Sequence, residues 1–137
     1  MQRCILCQSN KTALYYQDHN RRYCNCNTCG CVFIPHEALP KAKEEKERYL
    51  SHQNDVEDSG FQKFVSPMVN AIKAKHNTKE KGLDFGAGTG PVVSKLLEDF
   101  NYKMVLYDPF FHPNKDSLNN NYDFIVCCEV IEHLHNP

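Results

Sequence analysis

Two residues separate Cys4 from Cys7, Cys26 and Cys29 repeat that spacing, and about 18 residues lie between the pairs. Such a layout presents four thiolates to one tetrahedral ion. Each C-x2-C turn brings two sulfurs to one side of a tight knuckle, and Gly30 after the second pair suits a backbone that must approach sulfur closely. A closed four-thiolate site leaves no open position for substrate, so the expected ion is structural Zn2+, held by Cys4, Cys7, Cys26 and Cys29. Redox chemistry at a C-x2-C pair would want a helix N-terminus behind its first cysteine, and none is legible near Cys4 or Cys26. Either Cys24 or Cys31 could replace a neighbour in the second knuckle, although Cys26 and Cys29 keep the preferred spacing.

A second group of residues with chemical meaning is the run Leu83-Asp84-Phe85-Gly86-Ala87-Gly88-Thr89-Gly90. A short apolar strand enters three alternate glycines, and Pro91 opens a segment of helical periodicity. Glycines allow a sharp turn and close approach to a ligand, while the free N–H groups of the helix start face it. The third glycine falls one place early for a dinucleotide fingerprint, and Pro91 and Val92 stand where a phosphate loop needs Lys and Ser or Thr. Asp84 would repel a pyrophosphate and welcome an ammonium group, which argues against a nicotinamide-dependent oxidoreductase and for S-adenosylmethionine. Asp108, about 20 residues beyond the loop and at the end of a second strand, is placed to accept ribose hydroxyls.

The elements that must position these groups are legible in outline. Ala13–Gln17, Arg21–Cys24 and Cys31–Ile34 read as short strands around a turn at Asp18-His19-Asn20, which makes residues 1–35 a small β zinc ribbon. Residues 36–78 form a helical connector. Its charged centre, Lys41–Arg48, is a solvated helix; beyond it Ser59 is the expected cap of a second helix with an apolar stripe from Phe61 to Ile72. Pro67 inside that stripe implies a kink or a later start. Residues 79–137 then supply a partial Rossmann-like sheet, so the fold class is α/β. Cys127 and Cys128 fall in an apolar strand and read as buried thiols.

Composition narrows the partners. With 16 Lys+Arg against 17 Asp+Glu the formal net charge is −1, and mean hydropathy is −0.60. No stretch approaches the ~20 apolar residues of a membrane span, and no signal-like N-terminus is visible. A cytoplasmic protein with reduced thiols is expected. Lys11, Arg21 and Arg22 make a thin basic patch without an opposing stripe, so nucleic-acid binding is not expected.

LDFGAGTG, the acid of LYDP and the segment YDFIVCCEVIEHLHNP together resemble class I S-adenosylmethionine-dependent methyltransferases, the nearest group being similar to the ubiquinone-biosynthesis O-methyltransferases. Arg48, Tyr49, His52 and Asn54 are similar to a connector found in one branch of that family with an N-terminal ribbon. The resemblance implies that Asp84, Gly86, Gly88 and Gly90 bind the methionine part of the cofactor, Asp108 the ribose, and that Glu129 lines the pocket. It places Glu132 and His133 at the start of the following helix on the substrate side, with His133 a general base for a small-molecule acceptor. Only about 14 residues lead from Asp108 to the next strand, roughly one minimal crossover, so Phe110 or Phe111 would stack on adenine in place of an acid. The family's further strands are absent after Pro137, so a C-terminally truncated domain with an exposed edge strand is expected. A non-catalytic remnant, a zinc-ribbon binding module with part of a cofactor site, is the alternative.

Overall fold

Local chemistry accounts for most of the elements in the computed structural model, which describes residues 2–51 and 55–137. His52 and Asn54 of the connector motif lie outside the described residues. The chain divides into two units, one running to Glu44 and including Ile131–Pro137, the other Glu45–Val130.

In the first unit β1 (Thr12–Gln17), β2 (Arg22–Cys26) and β3 (Val32–Phe33) form an antiparallel sheet in that order. The turn closes because Asp18 Oδ1 accepts the N–H groups of Asn20 and Arg21, both at 2.7 Å, and those two donors hold the Asp18 carboxyl below its usual range. A bulge between Leu14 and Tyr16 interrupts the register. Cys4, Cys24, Cys26 and Phe33 make the small core. It is too small to fold on apolar burial alone, the usual reason a ribbon of this size needs a metal.

The charged connector is helical as its composition predicts. In α1 (Ala42–Ser51) no residue is buried, and Glu44 Oε2 reaches back to accept the Lys41 N–H at 3.1 Å, half of a capping box. The next helix, α2 (Ser59–Lys75), corrects two expectations. Its cap is Asp58 and not Ser59, since the Asp58 carboxylate accepts the Phe61 N–H at 2.8 Å. It also runs through Pro67 without a late start. Proline there deprives the Lys63 carbonyl of its donor, and the Ser66 hydroxyl supplies one at 2.8 Å.

Three parallel strands carry the second unit: β4 (Lys81–Phe85) lies between β5 (Lys103–Tyr107) and β6 (Phe124–Val126), an order of β5-β4-β6. Val65, Val69 and Ile72 of α2 and Val92, Val93 and Leu97 of α3 (Val92–Asp99) pack with Tyr102, Phe124 and Val126. At ~1.5–3 kcal/mol per fully buried aliphatic side chain, this cluster dominates the stability of the unit. Gly82 is required at the sheet centre, because a Cβ there would lie 2.3 Å from the Phe124 ring and 2.8 Å from Met104 Sδ. The end of α3 sets the entry to β5. Asn101 takes a φ of +65°, its N–H reaches Glu98 O, and the Tyr102 N–H returns to Leu97 O. This is a Schellman close with Asn in the left-handed position, and it drops Tyr102 onto the core.

β6 ends at Val126 and is an edge strand, pairing among the described residues with β4 alone. Ile125 is consequently 63% exposed. Cys127 is exposed and Cys128 half-buried against the core, so the expectation of two buried strand thiols holds for neither in full. A groove of about 390 Å³ follows β6 and α2, lined by Met68, Ile72, His76, Ile125 and Cys127 among others, and includes none of the predicted site residues. Among the described residues no helix is long and apolar enough to cross a membrane.

Candidate functional site

The ribbon brings four sulfurs together. Sγ of Cys4, Cys7, Cys26 and Cys29 all lie within 4.8 Å of one another, with Cys4 to Cys29 at 3.7 Å and Cys7 to Cys26 at 3.6 Å. A tetrahedron with metal–sulfur bonds of about 2.3 Å has edges of roughly 3.8 Å, so the donor set fits a metal ion of that size. Burial works against charge on the Cys26 thiol. The N–H groups of Cys29 and Thr28, with hydrogen bonds from Cys7 and Cys29, outweigh it and bring the thiol down to about 6. At Cys7 the Ser9 N–H favours the thiolate, but the Cys29 thiol, burial and the Cys26 and Cys4 thiols together outweigh it, and the group is pushed up to about 12. The first cysteine of each knuckle is thus the one readied as thiolate by turn N–H groups, Cys4 being lowered by Cys7 and Leu6 against its burial. Cys24 and Cys31 stand outside the cluster. Cys24 is buried opposite Phe33, a core thiol, and Cys31 is half-buried, its thiol raised first by burial.

The second candidate site gathers at the carboxyl ends of β4 and β5. After Phe85 the backbone folds back on β5: the N–H groups of Gly86 and Ala87 both donate to Tyr107 O, at 2.8 and 3.0 Å. Gly86 takes a φ of +81° and Gly88 one of +63°, which glycine alone adopts freely. Their surroundings differ. A Cβ on Gly86 would meet Val130 at 2.4 Å, whereas one on Gly88 would meet nothing within 4 Å. The first glycine makes room for the protein itself; the second faces open space.

Asp108 ties the loop to β5. Its Oδ2 accepts the Gly88 N–H at 3.0 Å, its Oδ1 accepts the N–H groups of Phe110 and Phe111 at 2.8 and 3.0 Å, and its main chain exchanges two hydrogen bonds with His112. The carboxylate is buried. That turn fixes the two phenylalanines, whose rings meet edge to face at 6.2 Å, and the Tyr49 ring lies 6.4 Å from Phe110. The connector's tyrosine therefore belongs beside Phe110, a contact that sequence spacing could not reveal.

Asp84 does not stand open at the loop. It is buried, and the Ser94 hydroxyl of α3 donates to its Oδ2 at 2.6 Å. Burial pushes its carboxyl above the usual range against that hydrogen bond and the nearby His112, with Asp108 adding to the rise. Ser94 escaped sequence reasoning altogether, although its place on the inner face of α3 was available from the periodicity. Glu129 is exposed with a φ of +54°, a strained value for a residue with a side chain. Ile131–His133 form a 3-10 turn and not the start of an α-helix, closed by the Leu134 N–H on Ile131 O. Glu132 Oε1 lies 3.8 Å from His133 Nε2.

Comparison with known proteins agrees with this geometry. A family model described as a methyltransferase domain matches residues 53–137. More than half of the chain is covered, and the chain belongs to that family. No curated protein and no solved structure matches it.

Proposed function

We propose that the chain binds S-adenosylmethionine at the loop between β4 and α3 and serves methyl transfer to a small-molecule acceptor, with Zn2+ as the structural ion of the ribbon. The observation that carries this reading is Gly88, held in a left-handed conformation against open space beside the buried acid Asp108, in a chain that belongs to a methyltransferase-domain family. Strand order supports it. The chain leaves β4 for a neighbour on one side and returns to a neighbour on the other, and ligands of such Rossmann-like sheets bind outside the carboxyl ends of the strands where the order reverses.

When bound, the cofactor supplies an electrophilic methyl group on a sulfonium. The chain's own residues then have separable tasks. Gly86 turns the chain into the loop, Gly88 and Gly90 let the backbone follow the ligand, Asp108 accepts ribose hydroxyls, and Glu129 lines the pocket. Asp84 is suited to a cation, because an ammonium nearby would offset the burial that disfavours its charge. Phe110 and Phe111, fixed by Asp108, offer flat apolar surface for a purine. His133, with Glu132 adjacent, is assigned the acceptor's proton. Within the family, we infer from the resemblance of the segment EVIEHL that the chain is similar to the ubiquinone-biosynthesis O-methyltransferases.

Calorimetric titration of S-adenosylmethionine into the zinc-loaded chain tests the assignment, with Asp108→Asn as control and circular dichroism to confirm folding. Saturable binding weakened at least tenfold in a folded variant supports it; a folded chain that binds nothing refutes it. Binding without transfer to any hydroxyl or phenol acceptor would favour the non-catalytic alternative.

A further inference from the structure

The ribbon sheet leaves a face uncovered, and its residues are not arranged as an inert surface. In β2 the side chains of Cys24 and Cys26 point into the small core and are buried, so Tyr23 and Asn25 point the other way. Their cross-strand partners share that outer face: Tyr16 opposite Tyr23, Ala13 and Val32 opposite Asn25. The two tyrosine rings lie 6.2 Å apart at 39°, and Tyr16 remains 54% exposed. Asn25 Nδ2 donates to Asn27 Oδ1 at 3.2 Å, which leaves amide groups at the surface beside the rings.

Charge frames this face. By strand alternation Lys11 lies at one end of it and Arg21 at the turn end, with Arg22 exposed on the other side of the same hairpin. Before Pro35 the cations are Arg3, Lys11, Arg21 and Arg22 against one acid, Asp18, whose carboxylate is occupied by the turn. Among the described residues neither Lys11 nor Arg22 has a carboxylate within ion-pair distance. Sequence spacing shows Lys11, Arg21 and Arg22 only as a thin patch; the pairing of β1 with β2 adds the two tyrosines that lie between Lys11 and Arg21.

We propose that the outer face of the ribbon is a docking surface for single-stranded nucleic acid, with bases stacking on Tyr16 and Tyr23 and phosphates meeting Lys11 and Arg21 at its two ends. The inference goes beyond methyl transfer and does not depend on it. Aromatic rings between cations match the physical requirements of a single strand, whose bases are free to stack. Six or seven residues of strand span roughly 20 Å at ~3.4 Å per residue, a length suited to a few nucleotides. A duplex hides its base faces and would use only the cations.

Fluorescence anisotropy with labelled oligo(dT) and oligo(U) 12-mers, titrated with the zinc-loaded full chain at about 50 mM salt, tests this. Two phosphate contacts predict a slope of log K against log salt of about −1.4. Tyr16→Ala should weaken binding about tenfold, Tyr16→Phe should leave it unchanged, and a duplex of the same length should bind more weakly. If Tyr16→Ala loses its zinc, Lys11→Glu combined with Arg21→Glu decides the matter, with loss of binding expected while zinc content is retained. Absence of binding by the zinc-loaded chain overturns the proposal. So does binding that heparin matches and that Tyr16→Ala leaves intact, which would reveal a general polyanion surface, or recognition of a protein by this face with no affinity for oligonucleotides.

Discussion

Replacing Asp108 by Asn separates what this acid does for the fold from what it is proposed to do for a ligand. The carboxylate accepts three backbone N–H groups, from Gly88 at 3.0 Å, Phe110 at 2.8 Å and Phe111 at 3.0 Å. Hydrogen bonds to a charged group contribute roughly 1.5–3 kcal/mol each. In the Asn variant the amide oxygen can keep Phe110 and Phe111, but its NH2 faces the Gly88 N–H, donor against donor. The expected loss is one charged hydrogen bond, about 2 kcal/mol. Ala would orphan all three donors, two of them beside half-buried phenylalanines that water can reach, and should cost about 3–5 kcal/mol. For a domain of this size 2 kcal/mol corresponds to a fall in Tm of about 10 °C. The chain contains no Trp, so the assay is circular dichroism at 222 nm, which follows the helices. The same melts with S-adenosylmethionine report the ligand, since a hundredfold excess over Kd stabilises by about 2.7 kcal/mol. An Asn variant as stable as the parent would refute the structural part, and an undiminished ligand shift the functional part.

Four other outcomes are expected. Cys26→Ser should abolish stoichiometric zinc and unfold the ribbon, whereas Cys24→Ser should keep the metal, as native mass spectrometry would show. Gly86→Ala should cost about 3 kcal/mol, combining a left-handed φ with the Val130 clash, and Val130→Ala in the same chain should recover about 1 kcal/mol by urea denaturation. Gly88→Ala should cost only about 1 kcal/mol in the same assay yet impair cofactor binding in calorimetry, because its Cβ enters open space. Asp84 contributes a pH dependence. Burial raises its folded-state pKa, so the folded chain holds that proton more tightly, and its contribution to stability is greatest below the unfolded value and declines as pH rises through the folded one. Asp84→Asn should flatten that decline, and urea midpoints measured across the acid range would reveal it.

What could be read from sequence depended on whether its cause was local. The C-x2-C knuckles, the Asp18 turn and the strand-glycine-helix order are each decided within a few residues, and the structure presents them where spacing indicated. Asp58 and Ser59 are adjacent capping residues, and choosing between them required knowing which one reaches the Phe61 N–H. Pro67 is tolerated because Ser66 supplies the missing donor, a compensation that a rule about proline alone overlooks. The need for glycine at position 82 comes from Met104 and Phe124 on flanking strands, far away in sequence, and Ser94 meets Asp84 only once α3 packs on the sheet.

The distribution of lone pairs on Asp108 links the fold to the proposed chemistry. A carboxylate offers about four acceptor positions, and backbone donors take three of them here. Two ribose hydroxyls would need two positions, so one backbone donor must yield. Phe110 and Phe111 share Oδ1 within a short turn that His112 closes from both sides, and releasing either would open it. The Gly88 bond is different. It alone holds Oδ2, it spans two segments 20 residues apart, and Gly88 has no Cβ and empty space around it. Under the proposed reading, Gly88 is therefore the donor that turns away to meet the ligand. Its glycine serves that exchange as much as it serves the turn.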